Sequence, residues 1–263
     1  MRKSHVAIET FSPNLYMWPP SLLRLEIDIT YACGFSCLNC NRMTAVAPAD
    51  QSTDLTIAQM QRLIAESVEL KWPWQKWSFL GGEPTVHPEF LEILNCAVQY
   101  RTDHNPMLQL QVSTHGAGKR TAALIERIQT SLPFVVIRNT NKTTRLQQSF
   151  DKINIAPMDQ EKYVDQTHYA GCWIPTCCGI GLNFAGFYCC AVAGAIDRVC
   201  GYDLGVKSLA EVQSARLTEM YHAFCPKCGH YDPVTDFQGR STSPFWERQI
   251  NEHNMKHPKL KHY

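Results

Sequence analysis

The sequence predicts an α/β protein, a partial (β/α)5–6 TIM-like barrel followed by a small cysteine-rich α+β module. Two observations predict the barrel. Strand-like and helix-like segments alternate through the first part of the chain, and three polar or cysteine-rich loops each follow a strand directly. This order implies right-handed βαβ units and a parallel sheet, whose chemistry gathers at the carboxyl ends of the strands. The module is predicted because cysteine and glycine become frequent beyond Gly171.

Hydrophobic periodicity gives the elements of the first part. Residues 23–30 alternate apolar and polar side chains, as in a strand with one covered face. Residues 55–70 have helical spacing, with Thr53 or Asp54 placed to cap the helix. The further predicted elements are strands over 77–80, 108–113, 134–137 and 153–155 and helices over 88–100 and 119–130.

The second part has shorter elements. Residues 181–184 and 187–190 form a predicted hairpin, 207–221 is helix-like, and 244–253 is a short helix before a basic tail. The predicted organisation is an N-terminal extension over 1–21, the partial barrel over 22–170, the cysteine-rich module over 171–238, and a C-terminal helix and tail over 239–263.

Composition excludes several classes of partner. The 263 residues include 25 Lys and Arg against 24 Asp and Glu, so charge gives no argument for nucleic acid or an anionic membrane. No apolar run reaches the roughly 18 residues of a membrane span, and no apolar stretch follows the basic start as in a secretory signal. Twelve cysteines in such a chain favour metal binding or catalysis over disulfides, and we expect a reducing, cytoplasmic setting.

The first cysteine motif is C-x3-C-x2-C, formed by Cys33, Cys37 and Cys40 in the loop after the first strand. Three thiolates on a tight loop suit one cubane iron–sulfur cluster with one iron left without a protein ligand. The alternatives are a structural zinc site, which needs a fourth ligand, or a chance spacing.

A glycine-rich turn, Gly81-Gly82-Glu83-Pro84, follows the second strand. Glycines allow the backbone to approach a ligand closely, and Glu83 can accept hydrogen bonds from an ammonium group. Taken alone, a Gly-Gly turn is usually only a turn.

Together the two motifs resemble those of the radical S-adenosylmethionine enzymes, a likeness that extends by architecture over about residues 22–160. The resemblance implies a [4Fe–4S] cluster on the three cysteines, with S-adenosylmethionine on the fourth iron and its amine held by Gly82 and Glu83. Reductive cleavage would give a 5′-deoxyadenosyl radical that removes a hydrogen atom from substrate. Such a cofactor carries the difficult chemistry, and the protein positions it.

The resemblance also implies weaker assignments. Ser113 and Thr114, after the third strand, fall where the family contacts the ribose or the methionyl carboxylate, and Asn139 falls where it contacts adenine or ribose. The alternative is that all three are ordinary polar residues at strand ends. One departure is Asn39, because the family usually has an aromatic residue before the third cysteine.

A second cysteine set lies in the C-terminal module. Cys225 and Cys228 form a C-x2-C knuckle, and Cys178 and Cys190 lie on either side of the predicted hairpin. Four thiolates complete a metal site, and such a knuckle is also a common element of structural zinc ribbons.

This cysteine-rich extension resembles the SPASM/twitch group, which implies a second, auxiliary [4Fe–4S] cluster on these four residues. Cys177 and Cys189 are the alternatives to their neighbours as ligands. Among the remaining cysteines, Cys172 is a candidate hydrogen-atom donor to a substrate radical, or a small buried apolar residue. Arg138 is a candidate base or substrate contact.

The predicted reaction is dehydrogenation or epimerisation at a C–H of a small substrate, such as an aminocyclitol, an aminoglycoside or another secondary metabolite. The auxiliary cluster would exchange an electron with the substrate radical, and a flavodoxin- or ferredoxin-type protein would supply reducing electrons. A peptide-modifying maturase acting on a short peptide is the alternative. A non-catalytic binding protein with a zinc ribbon is an alternative from another class. We expect no nucleic acid and no membrane partner.

Overall fold

A computed structural model describes residues 21–47, 49–144, 146–147, 150–231 and 241–263. The extension predicted over 1–21 lies outside these ranges except for Ser21, as does the boundary at 238–239. The strands are β1 Arg24–Thr30, β2 Lys76–Gly81, β3 Gln109–Thr114, β4 Val136–Asn139, β5 Ile180–Asn183 and β6 Gly186–Tyr188. The helices are α1 Ile57–Glu69, α2 Phe90–His104, α3 Lys119–Ser131, α4 Ile174–Cys177, α5 Ala191–Cys200, α6 Ser214–Phe224 and α7 Pro244–Lys256.

One open sheet of six strands, in the order β4-β3-β2-β1-β5-β6, organises the fold. The first five strands run parallel, and β6 returns antiparallel to β5. The predicted α/β class with an unclosed barrel is therefore confirmed. The hairpin expected in the C-terminal module belongs to this same sheet, because Leu25 and Ile27 of β1 pair with Ile180 and Leu182 of β5. The domain limits themselves stay a prediction.

The two faces of the sheet differ in chemistry because side chains alternate along each strand. On the apolar face, Ile27 and Phe79 are fully buried and belong to one core with α1 and α2. Tyr100 of α2 stacks on Trp77 of β2 with ring centroids 4.8 Å apart. The opposite face, which we call the polar face, carries charged and amide side chains. Its members on the first four strands include Arg24, Glu26, Asp28, Lys76, Ser78, Gln111, Ser113 and Arg138.

Helix α1 begins with a capping box. The Thr56 hydroxyl accepts from the Gln59 backbone N–H at 3.2 Å, and the Gln59 side chain accepts from the Thr56 N–H at 2.9 Å. The caps predicted at Thr53 or Asp54 are wrong, because these residues belong to and follow a short 3-10 turn that precedes the helix. None of the helices in the described part of the chain has the length and apolar character of a membrane span.

The strand predicted over 153–155 is wrong. Ile153 and Ile155 are fully buried, as the apolar pattern indicated, but their backbones form turns. The Ile153 N–H bonds to the Asp151 carbonyl at 2.8 Å, and the Ile155 N–H to the Lys152 carbonyl at 2.9 Å. The stretch predicted as helical over 207–221 also divides into a 3-10 turn at Leu209–Glu211 and helix α6.

Helix α5 has no counterpart in the prediction. It follows β6 after Cys189 and Cys190, and every residue from Ala191 to Val199 is buried. A helix that is covered on all sides lacks the polar stripe by which a surface helix is recognised. Gly194 in its middle further weakens the helical pattern.

Candidate functional site

A cleft of about 130 Å3 lies at the carboxyl ends of β1, β2 and β3. The first three cysteines, the two glycines of the turn and the end of β3 all face it, so the structure brings together many of the residues singled out in the sequence. These lining residues include Cys33, Cys37, Cys40, Gly81, Gly82, Ser113 and Thr114.

The cysteine loop is held by short-range contacts. The Cys33 sulfur accepts from the Phe35 N–H at 3.4 Å, and the Cys40 sulfur accepts from the Thr44 hydroxyl at 3.5 Å. Burial raises the pKa of the Cys33 thiol. Asn39 has a φ of 56°, in the left-handed region that asparagine tolerates better than an aromatic residue does. This conformation gives a physical reason for the departure from the family pattern.

Two buried arginines connect the cysteine loop to the rest of the protein through ion pairs and hydrogen bonds. The Arg42 guanidinium lies 3.0 Å from Asp28 and 2.8 Å from Glu26, both on the polar face. Arg198 of α5 donates to the main-chain oxygens of Ala47, Arg42 and Met43 and lies 4.1 Å over the Tyr31 ring. These contacts therefore connect the cysteine loop to strand β1 and helix α5.

The glycine turn packs directly on the end of β1. Gly81 has a φ of 128°, and a side chain there would overlap the Thr30 carbonyl oxygen. A side chain on Gly82 would overlap the carbonyl of Ala32. The N–H groups of Gly82 and Glu83 bond to these same carbonyls at 2.7 and 2.8 Å. Glycine is thus needed for the backbone to reach the cleft wall.

Glu83 does not face the cleft. Its carboxylate is fully buried and accepts hydrogen bonds from the Thr85 hydroxyl at 2.7 Å, the Thr114 hydroxyl at 2.8 Å and the His115 N–H at 2.8 Å. The predicted contact with a ligand amine is therefore not supported by this geometry, which makes Glu83 a positioning residue for the end of β3. Pro84 is also buried and begins a 3-10 turn.

The end of β4 gives a mixed result. The Asn139 side chain lies against Gly116 and accepts from the Asn141 N–H at 2.9 Å, and it does not line the cleft. Thr140 and Lys142, which the sequence analysis missed, do line it. The signal that could have found them is their place directly after a predicted strand, the same rule that found Ser113.

Cysteines of the second set surround a separate, smaller cavity of about 20 Å3, which we call the thiol cavity. Its cysteines come from the 3-10 segment before α4, the start of α5 and the knuckle after α6: Cys172, Cys189, Cys190, Cys225 and Cys228. Cys190 is the N-cap of α5, and its sulfur accepts from the Ala193 N–H at 3.4 Å. Burial, followed by the nearby thiols, raises the pKa of Cys225 well above its usual range. Ile174 and Val192 add apolar walls.

Cys178 lies elsewhere, on the polar face. Its thiol is hydrogen-bonded to Glu26, and burial and this carboxylate raise its pKa. The chain turns at Gly179, where φ is 86°, to enter the sheet beside β1, and this turn directs Cys178 away from the thiol cavity. Cys172, predicted as a hydrogen-atom donor, lies inside that cavity instead. Cys172, and not Cys178, therefore lies with Cys190, Cys225 and Cys228.

The knuckle is braced from outside. The Trp246 indole donates to the Lys227 carbonyl at 2.8 Å, and the Gly229 N–H bonds to the Ile153 carbonyl at 3.2 Å. Within the described residues, no three His, Cys, Asp or Glu side chains converge as ligands of a single metal ion do. The irons of a cubane are bound by separate thiolates, so its ligands lie farther apart than those of a single ion. Three or four thiols are the kind of donor that such a cluster takes.

The cleft brings together the two motifs on which the resemblance to the radical S-adenosylmethionine enzymes rests, the three thiols and the Gly-Gly-Glu-Pro turn. A sequence match agrees with that resemblance. Over 112 residues the chain is 26% identical to GTP 3′,8-cyclase from Actinobacillus pleuropneumoniae serotype 5b (strain L20). The match covers 43% of this chain and 31% of the cyclase, so the chain spans about a third of the length of this curated relative. No protein-family profile matches the chain.

Two solved structures are similar in fold. BtrN in complex with AdoMet and 2-DOIA has a TM-score of 0.46 at 11% identity, covering 80% of this chain and 88% of BtrN. SeMet BtrN in an open conformation has a TM-score of 0.43 at 14% identity, covering 84% and 94%. The SPASM/twitch likeness and the second cluster stay predictions.

Proposed function

We propose that the protein is a radical S-adenosylmethionine enzyme acting on a C–H of a small substrate, by dehydrogenation or epimerisation. The observation that carries this proposal is the convergence of Cys33, Cys37, Cys40 and the glycine turn on one cleft. A [4Fe–4S] cluster on these thiols would supply the electron that cleaves S-adenosylmethionine. A flavodoxin- or ferredoxin-type protein would be the electron source.

The chain's own residues have three tasks in this proposal. The backbone of Gly81 and Gly82 and the hydroxyl of Ser113 bind the cofactor, since these residues face the cleft, and Thr114 forms part of the cleft wall beside them. Glu83 fixes Thr114 by a hydrogen bond of 2.8 Å. Phe35 of the cysteine loop and His115 after β3 contact each other across the cleft, with ring centroids 4.9 Å apart. Such contacts make the cleft narrower and help to exclude water from it.

We propose further that Cys172, Cys190, Cys225 and Cys228 hold the auxiliary cluster. This set replaces Cys178 by Cys172, because Cys172 lines the thiol cavity and Cys178 does not. Cys189 also lines the cavity and is the alternative to Cys190. A fully ligated cluster there would provide an electron-accepting centre for a two-electron oxidation, but no open position for substrate.

The two candidate reactions differ in their use of a hydrogen atom, because an epimerase returns one to the substrate radical and a dehydrogenase does not. Cys178, whose thiol contacts Glu26, precedes β5 and lies toward the amino ends of the strands, so the structure does not make it the donor. Epimerisation in deuterated solvent would place deuterium in the product, whereas dehydrogenation would release the substrate hydrogen without incorporation.

The experiment that tests the class measures iron, sulfide and 5′-deoxyadenosine after anaerobic reconstitution. Wild type is expected to hold about eight irons and to release 5′-deoxyadenosine under reducing conditions. The variant Cys33→Ala/Cys37→Ala/Cys40→Ala is expected to keep about four irons and release none. Cleavage by the triple variant at the wild-type rate would refute the proposal. Cys96→Ala, in α2 outside both sets, is the matched control.

A further inference from the structure

A further cavity, of about 360 Å3, lies beside the C-terminal tail, and we call it the tail cavity. Its walls come from α5, from the end of α7 with the residues that follow it, and from the 3-10 turn Gln51–Thr53. It shares no lining residue with the cleft or with the thiol cavity. The proposed function therefore gives this cavity no role.

Positive charge and ring nitrogens dominate the polar part of the lining. The side chains that carry nitrogen are Arg198, His253, His257, Lys259 and His262. Among the described residues that line the cavity, the one carboxylate is that of Asp50. Its Oδ1 atom already accepts from the Ser52 N–H at 2.7 Å and from the Ser52 hydroxyl. Permanent cations therefore outnumber anions in this lining.

Arg198 gives the tail cavity a buried positive charge. Two of its nitrogens donate to main-chain oxygens of the cysteine loop, and its Nε atom is buried without a hydrogen-bond partner. In the described part of the chain, no carboxylate forms an ion pair with this side chain. Burial lowers the pKa of the guanidinium, because its charged form is costly away from water. A buried cation without a counter-charge favours an anionic ligand.

The chain after α7 brings a second cation to the same cavity. His257 has a φ of 42°, and beyond this turn Pro258 lies against Gly201 at the end of α5. Lys259 follows directly and is exposed, and it forms no ion pair within the ranges that the structure describes. Lys259 and Arg198 therefore reach the tail cavity from two different segments.

We propose that the tail cavity binds a phosphate group, either as the free ion or as part of a small phosphate ester. A phosphate group has three terminal acceptor oxygens, so it can take donors from several sides, whereas a carboxylate has two oxygens in one plane. The donors of the tail cavity come from α5, α7 and the tail, which suits the former. Phe184 and Leu260 add apolar walls for the organic part of an ester.

The test titrates the iron-loaded protein by calorimetry with inorganic phosphate and, separately, with glycerol 3-phosphate, at an ionic strength held constant with chloride. Wild type is expected to bind at least one of the two. Lys259→Met should weaken that binding about tenfold, through the loss of one charge-assisted contact. Lys256→Met removes an equal charge from α7, at an exposed residue outside the lining, and should bind as wild type does.

Two further variants keep the test decisive. Lys259→Arg retains the charge and should retain binding. Arg198→Met should weaken binding more than Lys259→Met does, and if the loss of its loop contacts unfolds that variant, the comparison of Lys259→Met with Lys256→Met still decides.

The outcomes also separate the two sources of the phosphate group. Tighter binding of glycerol 3-phosphate indicates an ester, and tighter binding of inorganic phosphate indicates the free ion. No binding by wild type below about 10 mM, or equal binding by Lys259→Met and Lys256→Met, would overturn the inference. The titration needs no S-adenosylmethionine, so its result is independent of cofactor cleavage.

Discussion

The two cysteine sets are built in opposite ways. Cys33, Cys37 and Cys40 lie on one loop, and they face an open cleft at the ends of three strands. The cysteines of the thiol cavity come from three separated segments and enclose a space between helices. A local set is visible in the spacing of a sequence, whereas a dispersed set exists only after the segments have folded together. The wider cleft suits an exchangeable ligand, and the narrower cavity, lined by thiols, suits a permanent group.

The largest expected effect comes from comparing substitutions of Cys172 and Cys178, which are six residues apart in the sequence. Cys172→Ala is expected to lose about four of the eight irons, because it removes one thiol of the thiol cavity. Cys178→Ala should keep all of them, since its thiol contacts Glu26 instead. Iron analysis and electron paramagnetic resonance of the reduced proteins measure both. The reverse pattern would restore the ligand set predicted from the sequence.

A second prediction concerns how the open site is anchored. Arg42→Met should lower the free energy of unfolding by about 3–5 kcal/mol, because it leaves the buried Asp28 and the partly buried Glu26 without their cation. Arg216→Met, which removes an exposed ion pair with Glu219 within α6, should cost less than about 1 kcal/mol. Urea denaturation of the reconstituted proteins gives both values, and equal losses would contradict the anchoring role.

The glycine turn gives a third prediction with a close control. Gly82→Ala should reduce 5′-deoxyadenosine release about a hundredfold, because the new methyl group overlaps the Ala32 carbonyl and displaces the cleft wall. Gly34→Ala, inside the cysteine loop, has no neighbouring atom for the methyl group to meet and should be nearly silent. If both variants behave alike, close packing at Gly82 is not what the turn provides.

The smallest expected effect tests the buried carboxylate. Thr114→Val removes a hydroxyl that donates to Glu83 and should cost about 1–3 kcal/mol of stability. Thr130→Val, at an exposed position of α3, removes a bond to the Glu126 carbonyl and should change stability by about 0.5 kcal/mol or less. Thermal denaturation distinguishes the two. A silent Thr114→Val would mean that Glu83 does not position the end of β3.

Sequence patterns predicted the parts of this molecule that depend on near neighbours. The first four strands, the helices between them and the C-x3-C-x2-C loop all follow from periodicity and spacing. Cys172 could not be assigned, because its proximity to Cys190 depends on β5 joining the sheet beside β1. Helix α5 was not predicted because it is buried on all sides and lacks a polar stripe. The segment around Ile153 was predicted as a strand because buried turns and buried strands both contain apolar residues.

The placement of β5 also has a consequence for how the chain acquires its fold. Strand β1 can pair along one edge as soon as β2 has been synthesised. Its other edge pairs only with β5, which follows β2 in the chain after three more helices and two more strands. During synthesis on a ribosome, the N–H and C=O groups of that edge remain unpaired over this whole interval. Fragments that end before Ile180 are therefore expected to expose a central strand and to aggregate, even though they contain every residue of the first cysteine site.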